Sequence, residues 1–278
     1  MGGILYVVAT PIGNLEDITY RAVRVLREVG VIYCEDTRQT RKLLDHFGLS
    51  TPLMSCHEHN EKARAAQLTS MLEQGRAVAL VSDAGTPLIS DPGYRMVQAA
   101  LAAGHRVVPI PGPAAFLAAL SASGLPADSF SFRGFVPARS GERRRMIESL
   151  RDSPETVVFY EAPHRIAECM ADIAALLGSG RPVVVAREIT KVHEEFLRGG
   201  AAQVLAELNS RPAVRGEITL LIGRARPGPE VVSPGELKAE VGSLEASGLS
   251  RKDAIKEVAR RRRLGRREIY ALIAGGGS

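Results

Sequence analysis

Short apolar runs recur along the chain, at Ile4 to Ala9, Val29 to Cys34, Ala77 to Ser82, Arg106 to Ile110, Thr156 to Tyr160, Pro182 to Ala186 and Glu217 to Ile222. Most are continuously apolar and do not alternate, which is the pattern of strands covered on both faces. Between them lie stretches with helical spacing of apolar positions: Ile18 to Glu28, Arg38 to His46, Glu61 to Glu73, Tyr94 to Ala102, Ala114 to Ala122, Glu142 to Leu150, Arg165 to Leu177 and Ala202 to Leu208. Strands interleaved with helices predict an α/β architecture with largely parallel sheets.

The periodicity weakens between Leu125 and Arg145, which sets a crossing into a second domain just before that stretch. It fails again at RARPGPEVVSPGE, residues 224 to 236, where dense Pro and Gly read as a linker. Beyond it, Ser250 to Ile273 reads as two short helices around Gly265, with Ala254, Val258, Ile269, Leu272 and Ile273 as a small apolar face. The expected divisions are 1–118, 119–226 and a basic helical module at 234–278.

Composition adds little until charge is located along the chain. With 278 residues, 45% hydrophobic and 24% charged, there is ample material for a buried core. Cys34, Cys56 and Cys169 are far apart and form no CxxC pair, so neither a disulfide framework nor a thiolate zinc site is expected. MGGILYVVAT lacks the basic start of a signal peptide, and no apolar run is long enough to cross a bilayer, so a soluble, cytoplasmic protein without a membrane partner is expected. Between Arg251 and Glu268, nine Lys or Arg stand against three Asp or Glu, a local +6 within a chain whose total is +5. The basic character therefore belongs to the C-terminal segment, which suggests a polyanion partner there.

Ligands of open α/β sheets collect beyond the carboxyl ends of strands. The residues found there are Thr10-Pro11-Ile12-Gly13-Asn14, Glu35-Asp36-Thr37-Arg38, Asp83-Ala84-Gly85-Thr86-Pro87, Pro111-Gly112-Pro113-Ala114-Ala115, Glu161-Ala162-Pro163-His164-Arg165 and Arg187-Glu188-Ile189-Thr190. Small residues and exposed main chain recur in them, which lets backbone groups approach a ligand. No G-x-x-x-x-G-K-[ST] string is present, which disfavours a purely phosphate-cradling role. A small zwitterionic or cationic ligand bearing an adenine-like ring fits better, held by backbone contacts and one or two carboxylates such as Asp83. S-adenosyl-L-methionine is such a ligand. Cys56-His57-Glu58-His59-Asn60 contains metal-ligating residue types, but no second cluster of matched spacing completes a site, so no metal is expected.

The strings VVATPIGNLEDIT, CEDTRQTRKLL, HEHNE, LVSDAGTPLISDPG, PIPGPAA, VFYEAPHRI and REITKVHEEFLRG, in that order across residues 4 to 223, closely resemble the ribosomal RNA small subunit methyltransferase I family of the tetrapyrrole methylase superfamily. The resemblance implies two α/β domains of the tetrapyrrole methylase type with S-adenosyl-L-methionine in the cleft between them, plus a homodimer. It also implies 2′-O-methylation of a cytidine in small-subunit rRNA. Carried over by motif, the donor site comprises Pro11, the loop Ser82, Asp83, Ala84, Gly85 and Thr86, then Ala114 and Ala115. From the second domain it takes Tyr160, Glu161, Ala162 and Arg187. Many tetrapyrrole-modifying members read G-G-D-P where this chain has Val81-Ser82-Asp83-Ala84-Gly85, which points to the RNA branch.

A ribose hydroxyl is a weak acid, so a nearby carboxylate or imidazole should take its proton; Asp36, Glu188 and His193 are the candidates. Arg139, Arg143, Arg144 and Arg145, with Arg260-Arg261-Arg262-Arg263 in the tail, are expected to grip phosphates of the rRNA or ribosomal subunit. Two other readings stand beside this one. A small-molecule, tetrapyrrole-like acceptor would leave the tail dispensable, and a non-catalytic RNA-binding protein would not bind the donor.

Overall fold

The computed structural model describes residues 2–57, 60–225, 234–262, 265, 269–271 and 273. Two compact units divide it, Met1–Arg224 and Ala225–Ser278.

The first unit carries two five-stranded sheets. One contains β1 (Ile4–Val8), β2 (Val31–Cys34), β3 (Leu53–Ser55), β4 (Ala77–Val81) and β5 (Arg106–Ile110) in the order β3-β2-β4-β1-β5. Every pairing in it is parallel. The other contains β6 (Phe130–Phe135), β7 (Thr156–Glu161), β8 (Pro182–Arg187), β9 (Glu195–Gly200) and β10 (Ile218–Ile222) in the order β6-β7-β10-β8-β9. Here only β6 and β7 run parallel; β10 is antiparallel to both β7 and β8, and β8 to β9. This corrects the expectation of largely parallel sheets for the second half. A continuous apolar run reports burial on both faces and carries no information about strand direction.

The helices are α1 (Tyr20–Glu28), α2 (Thr37–His46), α3 (Glu61–Glu73), α4 (Tyr94–Ala102), α5 (Ala115–Ser123), α6 (Ser140–Glu148), α7 (Ile166–Leu177), α8 (Ala201–Asn209), α9 (Pro234–Ala246) and α10 (Arg251–Arg262). Alternate residues of each strand serve opposite faces, so each sheet carries two cores. On the parallel sheet, Val8, Ile32 and Val81 pack with Leu26 of α1 and Leu44 of α2, while Leu5, Tyr33 and Leu80 meet Leu68 of α3 and Met96 of α4. On the mixed sheet, Val157, Phe159 and Val185 face Ile147, Met170 and Val204 of α6, α7 and α8. Its other face, with Val158, Val184 and Leu221, receives Ala119 and Leu120 of α5 together with Ile12 from the loop after β1. Thus α5 leaves the parallel sheet and packs on the mixed one, and Ile12 joins the same cluster.

The second unit is built on Leu237 and Val241 of α9 against Ala254, Ile255 and Val258 of α10, with Ile269 also buried. Its first helix begins at Pro234, inside the stretch read as linker. Proline suits the first turn of a helix because the amide it lacks would have no helical partner there.

Candidate functional site

A cavity of about 310 Å³ opens between the carboxyl edges of the two sheets of the first unit. The parallel sheet contributes Ile12 after β1, Ala84 to Thr86 and Ile89 to Asp91 after β4, and Ala114 to Phe116 after β5. The mixed sheet contributes Phe135 at the end of β6, Tyr160 to Pro163 around the end of β7, Ile189 after β8, and Gly216 to Thr219 at the start of β10. Because β10 runs antiparallel to β7 and β8, its beginning lies where their ends do.

The β4 loop is fixed by main-chain geometry. Gly85 has φ +82 and exchanges backbone hydrogen bonds with Thr10, N–H to O at 3.0 Å one way and 2.9 Å the other. The Ser82 hydroxyl donates to the carbonyls of Ala84 (3.3 Å) and Gly85 (3.2 Å), and the Thr86 hydroxyl to that of Pro113 (3.1 Å). Positive φ also holds Leu88 and Ser90, so the chain between the two Asp of this loop is tightly coiled. Non-glycine residues in that region are uncommon and concentrate at functional sites.

Of the twelve donor-site residues expected from sequence, Ala84, Gly85, Thr86, Ala114, Ala115, Tyr160, Glu161 and Ala162 line this cavity. Ser82 shapes the loop behind it. Asp83 accepts a hydrogen bond from the Asp36 backbone N–H (2.9 Å), tying the start of α2 to the β4 loop. Pro11 adjoins Ile12 without lining the cavity, and Arg187 is spent on Glu195 (3.1 Å) and the Arg215 carbonyl (3.2 Å).

None of the three candidate proton acceptors lines the cavity. Asp36 caps α2 and is clasped by Arg38, whose guanidinium holds the carboxyl down at about 2. His193 is exposed on the turn before β9. Glu188 sits at φ +52, donates its N–H to the Glu217 carbonyl (3.0 Å) and accepts from Lys191 Nζ (2.8 Å) and the Glu217 N–H (2.9 Å). Lys191 first, then the Glu217 amide, hold its carboxyl below the usual range. Gly216, at φ +89, makes room: a Cβ there would lie 2.5 Å from the Glu188 carboxyl. Glu188 thus fastens the turn after β8 to the start of β10, where Glu217 reaches the cavity.

The cavity chemistry is acidic. Asp91, Glu161 and Glu217 line it, and the lining contains no Lys, Arg or His among the described residues. Burial, then the neighbouring Glu35, push the Asp91 carboxyl up to about 6, partly offset by the Ser82 hydroxyl. Glu161 is fully buried; one oxygen accepts from the Ala162 N–H and pairs with Arg165 (2.7 Å each), whereas Oε2 has no partner among the described residues. A buried carboxylate oxygen left unpaired is costly unless a ligand donates to it. Small residues Ala84, Gly85, Ala114, Ala115, Ala162 and Gly216 leave backbone accessible, and Ile12, Ile89, Phe116 and Ile189 supply apolar walls. Such a pocket suits a cationic ligand with a flat ring and repels phosphate. Asp91, Phe135 and Glu217 escaped the sequence reading. Asp91 stands eight residues beyond Asp83 in LVSDAGTPLISDPG, in an Asp-Pro-Gly whose composition is that of an ordinary turn.

Among the described residues no His, Cys, Asp and Glu cluster is arranged to hold a metal. Glu58 and His59 lie outside the described residues, while Asn60 accepts from the His57 N–H (2.9 Å) and makes no cap to α3. The phosphate-gripping role expected of Arg143 is overturned: it is 2% exposed and bound to Asp172 (2.8 Å) and Glu168 (2.6 Å), with Arg144 also on Asp172. Arg139 remains 85% exposed. In the second unit Arg260 and Arg261 are exposed and both bonded to Glu257; the side chain of Arg262 and all of Arg263 lie outside the described residues.

A family profile described as Tetrapyrrole (Corrin/Porphyrin) Methylases matches residues 4–205. A protein of Halalkalibacterium halodurans named "Ribosomal RNA small subunit methyltransferase I" is 45% identical over 97% of this chain and 94% of its own length. Proteins of the same name are 45% identical in Synechocystis sp., over 97% of both chains, and 51% identical in Xylella fastidiosa, over 79% of this chain and 81% of that one. Among solved structures, a uroporphyrin-III-C-methyltransferase from Thermus thermophilus superposes with a TM-score of 0.56 at 21% identity, covering 80% of this chain and 94% of that one. A cobalt precorrin-4 methyltransferase gives 0.58 at 15% identity, covering 79% and 94%. At those identities the two structures show a shared fold.

Proposed function

The chain belongs to the tetrapyrrole methylase family and, within it, to the ribosomal RNA small subunit methyltransferase I proteins; from that premise we propose that it methylates small-subunit rRNA with S-adenosyl-L-methionine, on a cytidine 2′-oxygen. The observation that carries the donor assignment is a cavity built from loops of both sheets and lined by Asp91, Glu161 and Glu217 with no Lys, Arg or His among its described lining residues, although Lys191 pairs with Glu217 (2.9 Å) and Arg165 with Glu161 (2.7 Å) from behind. The family membership carries the acceptor.

Bound S-adenosyl-L-methionine would supply an electrophilic methyl group on a positively charged sulfur. The protein's own part is to hold that group and exclude water, with Ala84 to Thr86, Ala114, Ala115 and Glu161 to Ala162 forming the clasp. Fixing the acceptor oxygen within roughly 3–3.5 Å of the methyl carbon, in line, is worth on the order of 7–11 kcal/mol. The acceptor hydroxyl must lose a proton as it bonds, and we assign that proton to Asp91, a cavity carboxylate whose proton affinity burial raises to about 6. Glu188 and Asp83 act as positioning residues through Glu217 and the β4 loop. His193 and Asp36 lie outside the cavity wall and are given no part in the transfer.

The basic tail unit and Arg139 are proposed to contact RNA phosphates, and the protein to work as a cytoplasmic homodimer. No helix among the described residues is long and apolar enough to cross a membrane. The test is incubation of the purified protein and labelled S-adenosyl-L-methionine with small-subunit rRNA and with assembled subunits, followed by mass mapping. Label confined to one cytidine ribose is expected. Transfer to a porphyrinoid and none to RNA would overturn the acceptor assignment, and absent donor binding in calorimetry would overturn the whole reading. Truncation after Arg224 should flatten the salt dependence of RNA binding while leaving donor affinity intact.

A further inference from the structure

We propose that Phe135 is the platform on which the acceptor base stacks, and that a bulge in β6 exists to aim it; this rests on the rRNA reading above. Phe132 pairs with Val158 and Phe135 with Tyr160, so Arg133 and Gly134 together stand opposite the single residue Phe159. An uninterrupted register would have put residue 134 opposite Tyr160. The extra residue reverses the faces of everything after it.

The reversal has visible consequences. Val136, which regular alternation would send toward the cavity, is buried in the core beneath α6 and α7. Phe135, which would have entered that core, lies on the cavity side, edge-on to Tyr160 at 5.5 Å, with Phe132 on the same ring at 4.9 Å. Gly134 makes the bulge feasible at φ +70, a backbone conformation that side chains resist.

A single exposed Phe on a surface needs no explanation. This one lines the cavity and is still 59% exposed, held at the rim by a backbone irregularity when the regular strand would have buried it. Tyr160, itself packed on Phe132, holds the Phe135 ring in a T-shaped contact that leaves more than half of the side chain accessible. Sequence-tolerant base binding uses such faces, and enzymes that act on a nucleotide hold its base this way once it leaves the stack. Arg133, two residues earlier on the same edge strand, and Arg139, four residues later, are exposed and lie beside Glu155 (3.9 Å) and Glu142 (3.2 Å), surface pairs that flanking phosphates could replace.

The experiment uses the full chain and the mapped rRNA substrate with a fluorescent base analogue at the methylated position. Phe135→Leu keeps an apolar contact with Tyr160 but removes the π-face. It should weaken RNA binding about 10- to 100-fold and abolish the stacking quench of the analogue, while affinity for S-adenosyl-L-methionine in calorimetry, whose clasp does not include Phe135, falls far less. Phe135→Tyr should restore both binding and quench. If Phe135→Leu binds and quenches like wild type, or if donor affinity falls in parallel with RNA affinity, the inference is wrong although the methyltransferase reading stands. If wild type itself neither binds nor methylates the RNA, the earlier reading fails first.

Discussion

Replacing Asp91 by Asn should make the protein more stable at neutral pH and less active, because the cavity holds that carboxylate against its preference. Burial and the charges of Glu35 and Asp83 lift it from the usual 3.8 to about 6, and only the Ser82 hydroxyl works the other way. Each tenfold change in proton affinity corresponds to ~1.4 kcal/mol, so the full displacement is equivalent to about 3 kcal/mol. The side chain is only partly buried, and solvent screening reduces this to roughly 1–2 kcal/mol. Below about pH 4 folded and unfolded chains both carry the proton, so the neutral Asn variant and wild type should be equally stable. Between 4 and 6 the unfolded chain releases its proton while the folded one still holds it, and wild type loses stability progressively; above 6 the gap is fully open and constant. Urea unfolding of both proteins at half-unit steps from pH 4 to 8, with turnover followed on the same samples, measures this directly. The wild-type rate should fall as pH drops through about 6, when Asp91 becomes protonated, and the variant should lose that limb. A stability difference that does not change with pH, or a variant less stable than wild type at pH 7, would refute the account of a strained cavity carboxylate.

Three further perturbations probe other parts of the molecule. Gly85→Val puts a branched side chain at φ +82 with its Cβ 3.3 Å from Ile12 Cγ2, so calorimetry should show donor affinity reduced at least about tenfold; unchanged affinity would remove this loop from the site. Glu188→Gln should lower stability by about 1 kcal/mol, through weaker ties to Lys191 and Glu217, while the pH profile of turnover keeps its shape; loss of a limb would make Glu188 itself the proton acceptor. Arg143→Ala leaves the buried Asp172 with Arg144 alone and should cost about 1.5–3 kcal/mol in denaturant unfolding with donor affinity unaltered, whereas no measurable loss would mean the network is solvated.

Which of these features the sequence could reveal follows from where the strands lie. The runs read correctly as strands include every central one, whose two covered faces write a continuous apolar string. The three missed, β3, β6 and β9, are all edges, with half-exposed residues and no such string. The fourth edge, β5, was legible because Val107, Val108 and Ile110 remain apolar, and its Pro109 sits where a missing amide is tolerated. The same logic separates the site residues. Ala84, Gly85, Ala114 and Ala115 follow strands of the parallel sheet and Glu161 ends β7, so inspecting the carboxyl ends of strands finds them. Glu217 precedes its strand, and only the reversal of β10, which no periodicity records, brings it to the same edge. Phe135 requires one fact more, since without the extra residue at Gly134 even a reader who knew β6 would have assigned it to the core. The residues that this reasoning makes most informative to mutate are therefore those whose placement depends on long-range pairing, because their side chains were positioned by the fold and not by the local pattern.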